Sequence, residues 1–469
     1  MTAIDDGQIR SLSPQQPSMV VAQSPSATPV DVAAAADRAR TAQREWWGQV
    51  APARAAALTA AANALRAKAS EAAALIVAEV GKPAGEAAGE VGRAVAILEY
   101  YAQACYAPLG SVLPPSLPGM LLTERRPHGV AGLITPWNFP LAIPLWKAAP
   151  ALAAGNAVLL KPSPDSLGGA QWLAQLLADC LPANLFQVVP GGPVTGAALV
   201  ENSDVISFTG SAGVGRRVAM AAVERGVPVQ AEMGGQNAAI VLPDADPAAA
   251  AAMIAGAAMG FAGQKCTATR RVIAIGDAAR VAKVTEALVA AVRALEPGDP
   301  ASAGVAVGPV ITPAAREKVL AATEAATAGG GRVLAGGVSV AAGAEGDGWF
   351  VAPTVIDGLA ADHPVAQEET FGPLSVVLPA ADVATAVRLA EDVRYGLVTS
   401  VHGRDLGALL TVARQVQTGL VKVNAPTTGV DFWAPFGGER ESSYGPREQG
   451  LAALDFYAST RTITLSPHP

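Results

Sequence analysis

The sequence predicts an α/β protein: a block of helices, a mainly parallel sheet covered on both faces, and a second α/β block. Three observations predict it. From residue 129 onward, short apolar runs that read as strands alternate with longer amphipathic runs that read as helices. The connections between strands are long enough for crossover helices, so neighbouring strands run parallel. At 469 residues the chain exceeds what one hydrophobic core holds, and two or three domains are expected.

The first 29 residues are polar, with several Pro and Ser, and read as a loose arm with no charged start and apolar run of a signal peptide. From Val30 to Tyr106 small apolar residues recur at helical spacing with Arg, Lys and Glu between them, and Gly81, Lys82 and Pro83 punctuate before a helix from Glu86 to Tyr106. "GVAGLITP" (129–136) reads as a buried strand, "LAIPLWKAAPALAAG" as a helix and "NAVLLKPS" (156–163) as a strand. "SLGGAQWLAQLLADCL", "LFQVVPG", "DVISFTG" (204–210), "VGRRVAMAAVERG" and "VPVQAEMGG" continue the alternation. Right-handed crossovers then leave a crevice at the carboxyl ends of the strands. A second alternating block runs from about Asn237 to Asn424, with an Ala- and Gly-rich surface connection between Ala325 and Gly348. The tail "STRTITLS" (459–466) alternates like a strand and needs a sheet to join, another subunit's included, so an oligomer is expected.

Composition narrows the function classes. Hydrophobic residues at 51% and charged ones at 16% describe a folded chain without a bilayer-spanning run. A net charge of −7 offers nucleic acid or an anionic membrane no electrostatic attraction. Three widely spaced cysteines (Cys105, Cys180, Cys266), no CxxC pair and four histidines argue against a disulfide framework or a zinc or other metal site, and fit a reducing cytoplasm.

Four short segments carry chemistry. In "FAGQKCTAT" (261–269), Cys266 sits among small residues able to expose a thiol, whereas Cys105 and Cys180 lie in apolar helical stretches and read as packing residues. In "QAEMGGQN" (230–237), Glu232 ends a strand just before two glycines: either a solvated carboxylate or a general base at a sheet's carboxyl edge. In "TPWNFP" (135–140), Asn138 is either a turn residue or an amide donor held rigidly by prolines and aromatics, as oxyanion stabilisation requires. "FTGSAGVG" (208–215) lacks the GxGxxG spacing, yet with Lys161 in "KPSP" (161–164) it suggests phosphate and ribose contacts at a helix N-terminus. Together these point to acyl or aldehyde chemistry beside a nucleotide site.

In this light the chain resembles the aldehyde dehydrogenase family. "TPWNFP", "KPSP", "FTGSAGVG", "EMGGQN", "GQKCTA", "EETFGP" (368–373) and "PFGG" (435–438) occur in that family's order, from about residue 30 to the C-terminus. The resemblance implies a Rossmann-like NAD(P)-binding domain (30–108 and 128–234), an α/β catalytic domain (235–436) and a small β oligomerisation arm (109–127 and 455–469), assembled as a homodimer or homotetramer. It implies Cys266 as nucleophile, forming a thiohemiacetal and then a thioester, Asn138 with the Cys266 backbone N–H as oxyanion donors, and Glu232 as the base that activates water. It implies cofactor contacts from Lys161 and Ser163 at the adenosine ribose, and from Gly210, Ser211 and Val214 near the pyrophosphate and adenine. Ile134, Trp137 and Met233 fall along the same groove, with Glu369 at the nicotinamide ribose and Phe371 beside it.

Some positions depart from the family pattern. Pro164 stands where NAD-preferring members often have Glu, a carboxylate that repels a 2′-phosphate, so NADP becomes acceptable beside NAD. Gln236 and Met233 replace a common Lys and Leu. The segment 419–450 is similar to the branch that oxidises 2-oxoglutarate semialdehyde (2,5-dioxopentanoate), although no carboxylate-clamping arginine is evident beyond Arg270 or Arg271. Trp146, Phe261, Trp433 and Phe436 suggest an aromatic pocket that would also suit a benzaldehyde-type or betaine aldehyde, or are simply core. A coenzyme A-acylating enzyme and a non-catalytic nucleotide-binding or structural protein on the same fold are the remaining alternatives.

Overall fold

The computed structural model describes residues 4–5, 7–343 and 347–467. Helix α1 (Pro29–Trp47) starts where Thr28 accepts from the Asp31 N–H and Asp31 answers on the Thr28 backbone, a reciprocal cap with Pro at the first helical position. α2 (Ala51–Ala67) and α3 (Ala69–Val80) break at Lys68 where the sequence suggested one continuous helix, and α3 ends on Gly81 in a left-handed conformation. α4 (Ala84–Ala104) packs along α2 and α3 and against α5 (Ala142–Ala153).

Two sheets organise the rest. The first has six strands, in the order 443–444, 229–232, 205–209, 130–134, 157–161, 186–188. Its five long-chain members are parallel, and the 443–444 segment closes the edge antiparallel to 231–232. Chain order reverses between 130–134 and 205–209, so a crevice opens where these two strands end. α6 (Leu167–Ala178), α7 (Pro193–Asn202) and α8 (Ala212–Glu224) are its crossovers. The second sheet has seven strands, in the order 332–335, 354–357, 374–380, 271–275, 238–241, 398–402, 420–423, parallel except for the first pair. α9 (Pro247–Met259), capped by Asp246, leads into the loop that carries Cys266.

Two expectations change, and a third, left open, resolves. The N-terminal residues, expected as a loose arm, form an antiparallel strand pair (8–12 with 20–25) in which Ile9 and Ser11 are buried and the Ser11 hydroxyl donates to Glu79. Polar composition hid it because a strand lying on the surface needs only one inward face. In the expected surface connection, a helix runs to Ala328 and residues 332–335 form an edge strand; alanine is the best helix former, and an Ala-rich run is no loop by itself. The tail strand Ala458–Leu465 joins a sheet of its own chain, pairing antiparallel along all of Met120–Pro127, with Val112–Leu113 on the other side. Among the described residues, no helix is long and apolar enough to cross a membrane.

Candidate active site

The crevice of the first sheet is a cleft of about 730 Å³. Ile134 and Trp137 line it at the end of strand 130–134, Lys161, Ser163 and Pro164 at the end of 157–161, and Gly210, Ser211 and Val214 at the entrance to α8. α8 begins at Ser211 without a side-chain cap, so its first N–H groups stay free at the positive end of the helix, a built position for a phosphate. Lys161 is buried and its Nζ donates at 2.8 Å to both Pro162 O and Gly191 O, leaving one proton for a ligand. Burial lowers its pKa to about 8, against a smaller opposing pull from Asp165. A dinucleotide fits this donor set.

Met233, Glu369 and Phe371 lie outside that cleft. Met233 packs its sulfur under Gly215 of α8, where a Cβ would come within 2.6 Å of it. Glu369 accepts the Gly235 N–H at 3.2 Å, and a side chain at Gly234 would collide with its carboxylate. Phe371, at φ 57°, meets Trp137 edge to face with centroids 5.8 Å apart, which ties the Glu369 loop to the cleft wall.

The Cys266 loop is held under strain. Phe261, Ala262 and Gly263 are successively left-handed (φ 54°, 51° and 66°). Arg270 binds Gly263 O and Gly372 O, and the Gln264 side chain bridges Ile311 N (2.9 Å) and Pro309 O (3.1 Å). Asn237 donates to Cys266 O at 2.7 Å and to Ala268 O at 2.9 Å. Asn138 is buried and donates to Gln264 O at 2.9 Å, which leaves its second amide proton free. The half-buried Cys266 packs against Leu397, Val398 and Phe436.

Electrostatics bind the thiol to Glu232. Burial, then the Glu369, Glu232 and Glu448 carboxylates, push the Cys266 thiol up to about 12. Glu232 is itself fully enclosed, and its pKa is well above the usual carboxylate range, first from burial and then from the charge of Glu448. Ser443 Oγ donates to Glu232 Oε2, and Lys147 and Arg447 also favour the charged form, while Oε1 has no partner among the described residues. Lys147, buried on α5, is ion-paired with Glu448 and donates to Ser207 at 2.8 Å. Burial and the Glu448 charge keep Glu232 a stronger base than an exposed carboxylate, and Lys147 limits that rise.

Sequence reading missed Lys147, Glu448, Ser443 and Asn237. Lys147 carried a signal, a lone lysine inside an apolar helix. The others act across the fold and carried none.

The aromatic residues divide. Trp146 and Phe436 lie 6.1 Å apart, and Cys266 packs against the cluster that Phe436 forms with Leu397 and Val398. Phe261 has no exposed surface and packs against Trp137 and the Lys82 ammonium, so it is core. Trp433 is 58% exposed and stacks edge-on against Phe432. Arg270 and Arg271 do not supply free charge to the pocket, because both are buried with their guanidinium groups bonded to backbone carbonyls. Cys105 is buried and bonded to Tyr101 O; Cys180 is half-buried just past α6.

A nucleotide-shaped crevice beside a strained cysteine loop and an enclosed carboxylate defines a cofactor-dependent, thiol-based oxidoreductase. The aldehyde dehydrogenase family model matches residues 2–463, and the chain belongs to that family. It is 38% identical to alpha-ketoglutarate semialdehyde dehydrogenase of Haloferax volcanii, over 96% of this chain and 94% of the relative. It is 36% identical to alpha-ketoglutaric semialdehyde dehydrogenase of Bacillus subtilis, over 94% and 91%. A crystal structure of betaine aldehyde dehydrogenase from Staphylococcus aureus in complex with NAD+ superposes with a TM-score of 0.94 at 27% identity, covering 98% of this chain and 92% of that one.

Proposed function

We propose that this aldehyde dehydrogenase oxidises 2-oxoglutarate semialdehyde to 2-oxoglutarate, using NAD+ and accepting NADP+. The observation that carries the substrate is the full-length likeness to two semialdehyde dehydrogenases of that name. The benzaldehyde-type and betaine alternatives have less support, since two of the four aromatics on which they rested, Phe261 and Trp433, lie in the core and on the surface.

The chemistry follows from the side chains. The Cys266 thiol is protonated at rest, so a base must take its proton before attack; of the two nearby carboxylates with raised pKa, Glu369 is bonded to the Gly235 N–H and Glu232 has an oxygen without a partner among the described residues. Sγ adds to the aldehyde carbon, the C=O electron pair moves to oxygen, and the free Asn138 amide proton with the Cys266 N–H holds the oxyanion. Lys161, Ser211 and the Glu369 loop would hold a nicotinamide dinucleotide, which would supply the two-electron acceptor. As the oxyanion collapses, the aldehyde hydrogen leaves with its electron pair as hydride, and a thioester remains on Cys266. Glu232 passes the proton it took from Cys266 to solvent and, as the carboxylate again, takes a proton from water; hydroxide attacks the thioester carbon, and the Cys266 thiolate leaves. Hydrolysis, not transfer to coenzyme A, is supported by the presence of that base.

Pro164 beside Lys161 leaves the ribose end of the cleft without the carboxylate that excludes a 2′-phosphate, which supports use of both cofactors. The exposed edge of the 458–465 strand, with Val112 71% exposed on the opposite edge of the same three-stranded sheet, supports pairing with a second copy as a dimer or tetramer. Three unpaired cysteines support residence in a reducing compartment such as the cytoplasm.

Initial rates of NADH and NADPH formation with 2-oxoglutarate semialdehyde, succinate semialdehyde, benzaldehyde, betaine aldehyde and hexanal test the reading. A dominant kcat/KM for the first supports it; preference for benzaldehyde or hexanal sinks the substrate assignment.

A further inference from the structure

The semialdehyde reading demands a cation for the substrate carboxylate, and the two arginines beside the nucleophile are committed to backbone carbonyls. α4 offers another. Glu86, Glu90, Arg93, Ile97 and Tyr100 recur at three- and four-residue spacing and share one stripe of this helix. At its N-terminal end the stripe meets the nucleophile loop, where Glu86 pairs with Lys265 at 2.7 Å. One turn on, Glu90 pairs with Lys82 and accepts the Leu141 and Ala142 N–H groups at 2.9 and 3.0 Å, just past Asn138. At its C-terminal end Tyr100 meets Phe432 edge to face, 5.9 Å between centroids, beside the exposed Trp433. Arg93 sits between these contacts, about 10 Å along the helix from both Glu86 and Tyr100.

Both carboxylates of the stripe are paired; Arg93 is not. It is half-buried and makes no hydrogen bond or ion pair with any described residue. Arg447, the other cation near Glu232, is bonded to Gly438 O and Glu439. A guanidinium with no protein partner keeps its planar fork of donors for a bidentate carboxylate.

We propose that Arg93 binds the C1 carboxylate of the substrate, fixing the far end of the chain while the aldehyde carbon lies at Cys266. The five-carbon skeleton spans about 5 Å between those carbons. This inference rests on the semialdehyde assignment and adds the residue that sets it.

The test compares wild type, Arg93→Met and Arg93→Lys on 2-oxoglutarate semialdehyde and on pentanal, which has the same number of carbons and no charge. In Arg93→Met the ratio of the two kcat/KM values falls about 10- to 100-fold, mostly through KM for the semialdehyde, and Arg93→Lys restores part of it. Thermal unfolding of each variant accompanies the kinetics. A wild type that does not prefer the semialdehyde overturns the substrate reading and the clamp with it. A wild-type preference that survives in Arg93→Met overturns the clamp alone. An equal loss on both substrates assigns Arg93 a structural role and also overturns it.

Discussion

Ser443 Oγ donates to Glu232 Oε2 at 2.5 Å, across an antiparallel pair that sets residue 443 opposite residue 232. The bond favours the carboxylate, whereas the charge of Glu448 disfavours it. A base works when deprotonated, so activity limited by thioester hydrolysis is lost as pH falls through the raised pKa of Glu232. Ser443→Ala removes a stabiliser of the anion and moves the acid limb of the kcat profile to higher pH. Glu448→Gln removes the repelling charge and moves it lower. A pH series of kcat for the two variants reads both signs, and shifts in the same direction would contradict the account.

Cys266→Ala lowers aldehyde oxidation more than about 1,000-fold, because Cys105 and Cys180 lie away from the site and cannot replace its thiol. Cofactor binding, followed by quenching of protein fluorescence, persists. In the free wild-type enzyme, iodoacetamide alkylation of Cys266 climbs steeply toward alkaline pH, as a thiol held near about 12 requires.

Lys82 and Glu90 form a fully buried ion pair, with the Lys82 ammonium 3.7 Å from the centre of the Phe139 ring. Lys82→Met strands the Glu90 charge and costs about 3–5 kcal/mol of stability in denaturant unfolding. Lys82→Met with Glu90→Gln recovers most of the loss, because a neutral amide tolerates burial. Should the double variant be no more stable than the single, the charge is not the cause.

Pro164→Glu places a carboxylate at the ribose end of the cleft. Its kcat/KM with NADP+ drops about 10- to 100-fold through repulsion of the 2′-phosphate, and with NAD+ it stays level or rises. Parallel NADH and NADPH rates check this, and an equal effect on both cofactors would place Pro164 away from the 2′ position.

The order of strands and helices was legible because many of the parallel strands are short, largely apolar runs closed by a turn, as in Val130–Ile134 and Ala157–Lys161. The residues at strand ends were legible for the same reason: the topology delivers them to one crevice. What sets their chemistry was not. Ser443 and Glu448 reach Glu232 across more than 200 positions of chain, and nothing local to "SSYGPREQG" marks them as its partners. Phe261 and Trp433 show the complementary failure. Both are aromatic and near a site motif, yet one is sealed beneath Lys82 and the other faces solvent. Type and position along the chain do not distinguish a pocket wall from the packing behind it.

The 443–444 segment that completes the edge of the first sheet also sets the order in which a ribosome can make this site. Cys266 is translated 443 − 266 = 177 residues before Ser443. At ordinary elongation rates that interval lasts roughly ten to thirty seconds. Throughout it the nascent chain holds a thiol and Glu232, but neither the hydroxyl nor the second carboxylate that tunes the base. Activity therefore arrives late and all at once, when the returning segment docks.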